Sequence, residues 1–413
     1  MLEHYFSDPN ALHRLRTGSS QPYIDDFADS LRRAGYAAES TQKYLNAAAH
    51  LGHFLQARKI RIADLESKAL EKFLRHIPRC RCALFRARKV DDHTRCAAKH
   101  FYEHLIRIGI CQPAAVVAQP LPEPVISFRD WYRQHRGVSE QTMVQYLRGA
   151  TALMEALGPD ITQWDAKRVR GFVFDCAKKK GTSSAQQAGT ATRAFLRHLI
   201  FQGKCRAGLD QAVPAVAHWK LAALPPCLSS DELSRLIAAC DGDSPGRLRD
   251  RAIILLLARL GLRAGDVAKL RLADIEWQSG TMRVTGKGRF EVRLPLPQEV
   301  GDALLRYLEC RPAAEPAERI FLRNIAPFRP GVSPLAISSV VKRALKRAGI
   351  EAPCKGAHLL RHTAVTEMLR HGVSLDRIGL VLRHRSLSMT ASYAKVDTRL
   401  LQLVTQPWPE VHA

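Results

Sequence analysis

The chain has no long apolar run. The longest, AIILLLA at 252–258, falls well short of the roughly 18 residues that a bilayer-spanning helix needs. The N-terminus, MLEHYFSDPN, lacks the basic-then-apolar pattern of an export signal. A membrane protein is therefore not expected, and the predicted location is the cytoplasm. Acid is also scarce: 39 Asp and Glu face 63 Lys and Arg, a formal charge of +24 at pH 7. Such an excess draws polyanions and speeds encounter with nucleic acid. The basic residues are spread over the whole chain rather than along one amphipathic helix, which favours DNA or RNA over a lipid surface. Regular cysteine pairing is missing too, so the ten cysteines are expected as reduced thiols. One group, His76, Cys80, Cys82, His93 and Cys96, has ligand chemistry. However, C-x-C followed by H-x-x-C is not a common zinc spacing, and no metal is expected.

At 413 residues, with 46% hydrophobic and 25% charged residues, the chain has room for two or three domains with real cores. Residues 1–21 are rich in His, Asp, Asn, Gly and Ser and are expected to form a mobile extension. Residues 22–110 have helical periodicity, with Gly35 between the first two helices. Residues 124–206 repeat that plan, with Gly137 for Gly35, Tyr146-Leu147 for Tyr44-Leu45, Ile161 for Ile60, Phe172 for Phe73, and RAFLRHLIFQG (193–203) for KHFYEHLIRIG (99–109). The expectation is a duplicated helical bundle, separated by a Pro-rich linker at 111–123 and followed by a second linker at 207–226. Within the bundles Arg32, Arg33, Lys43, Lys178, Lys179, Lys180 and Arg193 are candidate phosphate contacts. Each taken singly reads equally as a solvated helix face.

The last domain, 227–413, opens with Ser229 and Glu232 in capping-box spacing. A buried helix over Leu248–Leu260 follows, ended by Gly261. Arg263 begins the next helix, with Asp266 three residues on, close enough to orient it. Alternation at Met282, Val284, Val292 and Leu294 predicts a hairpin, with Lys287 between two glycines at its turn. Helices follow around Val300–Leu308 and Ser338–Ala348. His358 and Arg361 lie one turn apart on one helix face and can reach a single anion. Val365, Met368, Leu369, Ile378, Val381 and Leu382 give the buried face that would hold them. His384 follows. Tyr393, in the small and polar stretch SMTASYAKV, is expected to be open to solvent.

Arg263, Lys287, His358, Arg361, His384 and Tyr393, in this order and spacing, resemble the catalytic domain of the phage-integrase and Xer-type tyrosine recombinases. That likeness covers about the last 185 residues. It implies a mainly α fold with a small antiparallel β-sheet in the catalytic domain, preceded by helical, SAM-like core-binding domains, here duplicated. It also implies a site-specific recombinase, perceived here as the integrase or transposase of a mobile element, acting on double-stranded DNA as a homo-tetramer or a hetero-tetramer with related recombinases. In such an enzyme Tyr393 is the nucleophile that forms a 3'-phosphotyrosyl link. Arg263 and Arg361 clamp the phosphate, His358 and His384 add hydrogen bonds, His358 is also a candidate to take the tyrosine proton, Lys287 is the general acid, and no cofactor takes part. Asp266 stands where the family more often has Glu, and Arg383 where it commonly has Gly. The tail after Tyr393, with Leu400, Leu401, Leu403 and Val404, is expected to dock on a neighbouring protomer or on its own domain. Two other readings stay open: a DNA-binding architectural partner without catalysis, and a type IB topoisomerase-like relaxer.

Overall fold

The computed structural model describes residues 2–80, 82, 85, 92–113, 120–215, 224–285, 291–312, 318–328, 331–383, 390 and 393. Its contacts divide the chain into two compact units, one of 115–220 and one of 1–114 together with 221–413. The described residues are mainly helical, with one three-stranded sheet. None of the described helices is long and apolar enough to cross a membrane.

The first bundle contains α1 (Pro9–Leu15), α2 (Gln21–Arg33), α3 (Ala38–Ala57), a 3-10 turn at Ile62–Asp64, α4 (Ser67–His76) and α5 (Asp92–Arg107). Its core holds the fully buried Phe27, Phe54, Phe73 and Phe101. The expected mobile extension is instead part of this bundle. The Asp8 carboxylate accepts the Asn10 N–H at 3.0 Å with Pro9 at the first helical position, a helix start that the composition disguised as a loop. Leu2 and Leu15 are fully buried and join the same core.

The unit 115–220 has the same order: α6 (Glu123–Arg136), α7 (Glu140–Leu157), a 3-10 turn at Ile161–Gln163, α8 (Ala166–Lys180) and α9 (Thr182–Phe201). The core chemistry repeats as well. In the first bundle Phe27 meets Phe101 and His104 at ring separations of 5.1 and 5.2 Å. In the second, Phe128 meets Phe195 and His198 at 5.3 and 5.7 Å. His104 lies 3.2 Å from the Asp26 carboxylate, and His198 lies 3.2 Å from the Ser127 hydroxyl. Asp26 and Ser127 each immediately precede the central Phe. The short turns match Ile161 with Ile62 rather than with the expected Ile60.

The C-terminal part contains α10 (Ser230–Ala238), α11 (Pro245–Arg259), α12 (Ala264–Lys269), β1 (Ile275–Glu276), β2 (Thr281–Thr285), β3 (Glu291–Pro295), α13 (Gln298–Cys310), α14 (Pro334–Arg347), α15 (Ala357–Arg370) and α16 (Leu375–Leu382). The capping box forms: Ser229 Oγ accepts the Glu232 N–H at 3.2 Å, and the Glu232 carboxylate accepts the Ser229 N–H at 2.9 Å. In α11 the run Ile253–Leu257 is fully buried. Each such side chain contributes on the order of 2 kcal/mol, which makes α11 the spine of the domain. The antiparallel sheet runs β1-β2-β3 with Met282 opposite Leu294 and Val284 opposite Val292. Its inner face is buried at Met282, Val284 and Leu294. Residues 286–290, which include Lys287, lie outside the described residues. Helix α14 starts four residues before the expected Ser338, because Ser333 Oγ accepts the Ala336 N–H at 3.2 Å and Pro334 opens the first turn.

Candidate active site

The site is built where the end of α11 meets α15 and the turn after α16. Gly261 follows α11 with φ of +58°, and a Cβ there would lie 2.9 Å from Leu382 Cδ2. Only glycine suits both the left-handed backbone and that approach. The Gly261 carbonyl accepts a hydrogen bond from one Arg361 amino group, and the Leu382 carbonyl accepts one from the other at 2.8 Å. Arg361 is only 4% exposed, so its planar fork is fixed by main chain on two sides. Burial, then the neighbouring Arg263 guanidinium, pushes its pKa down to about 10.

Arg263 sits at the N-cap of α12, half-buried. Its backbone N–H donates to the Asp266 carboxylate at 3.2 Å. Burial lowers its pKa, Asp266 works in the opposite direction, and Arg383 adds to the lowering. The Asp266 carboxylate also pairs with Arg383 at 2.6 Å. Asp266 thus holds the main chain of one arginine and the guanidinium of another. Arg383 adopts a left-handed backbone, φ of +55°, as a C-cap for which glycine is the usual residue. Its side chain is 5% exposed, and among the described residues its Nε and one amino nitrogen are buried without a hydrogen-bond partner.

His358 lies one turn before Arg361 on α15 and keeps contact with solvent. Partial burial, then the Arg361 and Arg263 guanidiniums, lowers its pKa. Tyr393 is 4% exposed, contrary to the solvent-open position expected from its small, polar neighbours. It packs with Val365, Leu369, Ile378 and Leu382. These are the residues read from helical spacing as a buried face, so the ring fills the groove between α15 and α16. Burial raises the phenol's pKa, while Arg361 and then Arg263 pull it down.

The residue that sequence reasoning missed is His362. Its Nδ1 lies 2.6 Å from the Tyr393 hydroxyl, and its ring is 5.5 Å from the tyrosine ring and 6.3 Å from that of His358. Burial, then His358 and Arg361, lowers its pKa. The available signal was a second histidine directly after Arg361, which helical geometry turns about 100° away from Arg361 and towards the groove. His384 lies outside the described residues, as do the tail after Tyr393 and its apolar positions Leu400, Leu401, Leu403 and Val404.

The candidate phosphate contacts fall into three kinds. Arg32 and Arg33 pair with Asp29 at 2.7 and 2.9 Å, and Lys43 pairs with Glu39 at 2.7 Å, all on exposed helix faces. Lys178 and Lys179 are exposed on α8, and the side chain of Lys180 is outside the described residues. Arg193 instead donates to the Val213 and Pro214 carbonyls at 3.1 and 2.9 Å, which clamps α9 to the chain that follows it.

The family model described as the phage integrase family matches residues 226–399. A protein of Sinorhizobium fredii described as an integrase/recombinase is 35% identical over 99% of this chain and 99% of its own length. Tyrosine recombinase XerD of Xanthomonas axonopodis pv. citri is 32% identical over 69% of this chain and 96% of its own length. Among solved structures, a lambda integrase tetramer bound to a Holliday junction shares the fold with a TM-score of 0.51 and 18% identity, over 78% of this chain and 90% of that one. With relatives of this identity matched along nearly their whole length, and with its paired guanidiniums gathered beside a buried tyrosine, the chain belongs to the tyrosine recombinase family.

Proposed function

We propose that this protein cuts and rejoins double-stranded DNA at specific sites, with Tyr393 as the nucleophile. What supports this is the position of the Tyr393 phenol, 2.6 Å from an imidazole nitrogen of His362 and within electrostatic reach of Arg361 and Arg263. A phenol attack on a phosphodiester needs a proton acceptor, cations for the pentacoordinate phosphorane, and an acid for the departing oxygen. His362, kept neutral by its lowered pKa, takes the phenol proton. Arg263 and Arg361 hold the non-bridging oxygens, with Arg383 as a third buried cation and His358 as a hydrogen-bond donor at the rim. The phenol oxygen forms a bond to phosphorus, the bond from phosphorus to the 5' oxygen breaks, and Lys287 protonates that oxygen. His384 adds a further contact to the phosphate. A 5'-hydroxyl from a second strand reverses the sequence and rejoins the DNA. The phosphotyrosyl bond keeps the energy of the original linkage, so ATP has no role.

Arg32, Arg33, Lys43, Lys178, Lys179 and Lys180 supply phosphate contacts along the duplex, while Arg193 stabilises the fold. Assembly as a tetramer on two DNA sites, from copies of this chain or with related recombinases, is supported by the family and by the lambda integrase tetramer. The duplicated bundle supports a mobile-element integrase. A nicked suicide duplex carrying the terminal sequences that flank the gene tests the chemistry. Wild-type protein is expected to form a covalent adduct and Tyr393→Phe none. An equal yield from the variant would remove Tyr393 from its role.

A further inference from the structure

The expectation that no metal binds rested on the spacing of His76, Cys80, Cys82, His93 and Cys96. The fold separates that group. His93 and Cys96 are exposed on α5, whereas His76, Cys80 and Cys82 gather around His50, a residue of α3 that the linear spacing did not include. The four ligand atoms of His50, His76, Cys80 and Cys82 all lie within 4.8 Å of one another. Cys80 Sγ is 3.3 Å from His50 Nε2, and Cys82 Sγ is 3.4 Å from His76 Nε2. Tetrahedral zinc with bonds of about 2.3 Å to sulfur and about 2.0 Å to nitrogen sets sulfur–nitrogen edges of about 3.5 Å. We propose that His50, His76, Cys80 and Cys82 form a structural zinc site in the first bundle.

Three further features fit such a site. The Cys82 backbone N–H donates to Cys80 Sγ at 3.3 Å, a contact that stabilises a thiolate. Phe54 and Phe73 are buried beside the cluster, and Phe85 stacks on His50 with ring centroids 4.5 Å apart. This apolar wall limits water and fixes the ligand rings. The charges also balance: two thiolates and two neutral imidazoles around one divalent cation leave no net charge to bury, and the two thiol protons leave to solvent on binding. With four protein ligands no coordination position is left for a substrate, so the role is structural.

The second bundle shows that the helical fold does not itself demand these residues. Counted from the Tyr44/Tyr146 and Phe73/Phe172 pairs, the places of His50, His76, Cys80 and Cys82 fall at Ala152, Asp175, Lys179 and Gly181. There α8 runs on to Lys180, whereas α4 ends at His76. The metal would therefore tie the chain leaving α4 back onto α3, at the point where the first bundle departs from its repeat.

The test is elemental analysis of the full-length protein, expressed with added zinc and purified under a thiol reductant. About one zinc per chain is expected for wild type and for Cys96→Ser, and under a tenth of that for the Cys80→Ser/Cys82→Ser double variant. Should the double variant not fold, wild-type protein stripped of metal and titrated with Co²⁺ is expected to develop a thiolate-to-cobalt charge-transfer band and the intense visible absorption of a tetrahedral site. Wild type without bound zinc and without that band, or a folded double variant that keeps its zinc, would overturn the proposal.

Discussion

The cations around Tyr393 and those on the bundle faces belong to the same chain and share side-chain chemistry, yet their surroundings differ completely. The Arg361 and Arg383 side chains are almost fully buried, and burial, with the guanidiniums around them, lowers the pKa of Arg361 and of Arg263. Among the described residues, the Gly261 and Leu382 carbonyls hold Arg361 and the Asp266 carboxylate holds Arg383. Arg32, Arg33 and Lys43 stand in water beside carboxylates a turn away. Exposed pairs of that kind are worth little and are screened by salt. A buried group of like charges costs stability, and it is retained where an anion completes it. On the proposed function, the pocket is held ready for one phosphate group, while the helix faces offer a diffuse attraction to many.

This contrast is sharpest at Arg361. Arg361→Gln is expected to lower covalent adduct formation by about a hundred- to a thousand-fold. It should also lower the melting temperature, because the Gly261 and Leu382 carbonyls lose their donors at about 1–3 kcal/mol each. A normal adduct rate in a folded variant would break the comparison. Arg383→Gly comes next. It removes a cation but suits the left-handed backbone, so adduct formation at saturating DNA is expected to fall by about ten-fold with the melting temperature unchanged or raised. A loss of stability without a change in rate would show Arg383 to be a partner of Asp266 only. The smallest effect belongs to the bundle. Lys178→Ala/Lys179→Ala should leave the cleavage rate at saturation unchanged and reduce the slope of log affinity against log salt by about two. An unchanged slope would place α8 away from the DNA backbone.

Much of the catalytic domain was legible because its signals are local. The Ser229/Glu232 capping box, the all-apolar centre of α11 and the alternation through β2 and β3 each specify their own geometry over a few residues. The convergence of Arg263, His358 and Arg361 was legible only through an order of residue types resembling a known family, since nothing local joins α12 to α15. The burial of Tyr393 was misread because SMTASYAKV is polar as a string, whereas the ring takes its environment from Val365, Leu369, Ile378 and Leu382 on two other helices. His362 was passed over for the same reason, as its partner lies 31 residues away. The N-terminal residues looked mobile by composition, yet Asp8 and Pro9 start a helix and Leu2 and Leu15 close a core. His50 stayed hidden because it lies 26 residues before His76, on another helix.

Gly261 carries a consequence for how this domain tolerates change. Its left-handed backbone, the closeness of Leu382 and the carbonyl that holds Arg361 meet at a single Cα. Trimming Leu382 would open space for a methyl group there but would leave the backbone strain of any L-residue in place. Saturation of this codon should therefore return mainly glycine among active clones, since a replacement has to bear both the strain that Arg383 bears at φ of +55° and the clash with Leu382. Here the requirements of folding and of the proposed phosphate clamp are inherited together.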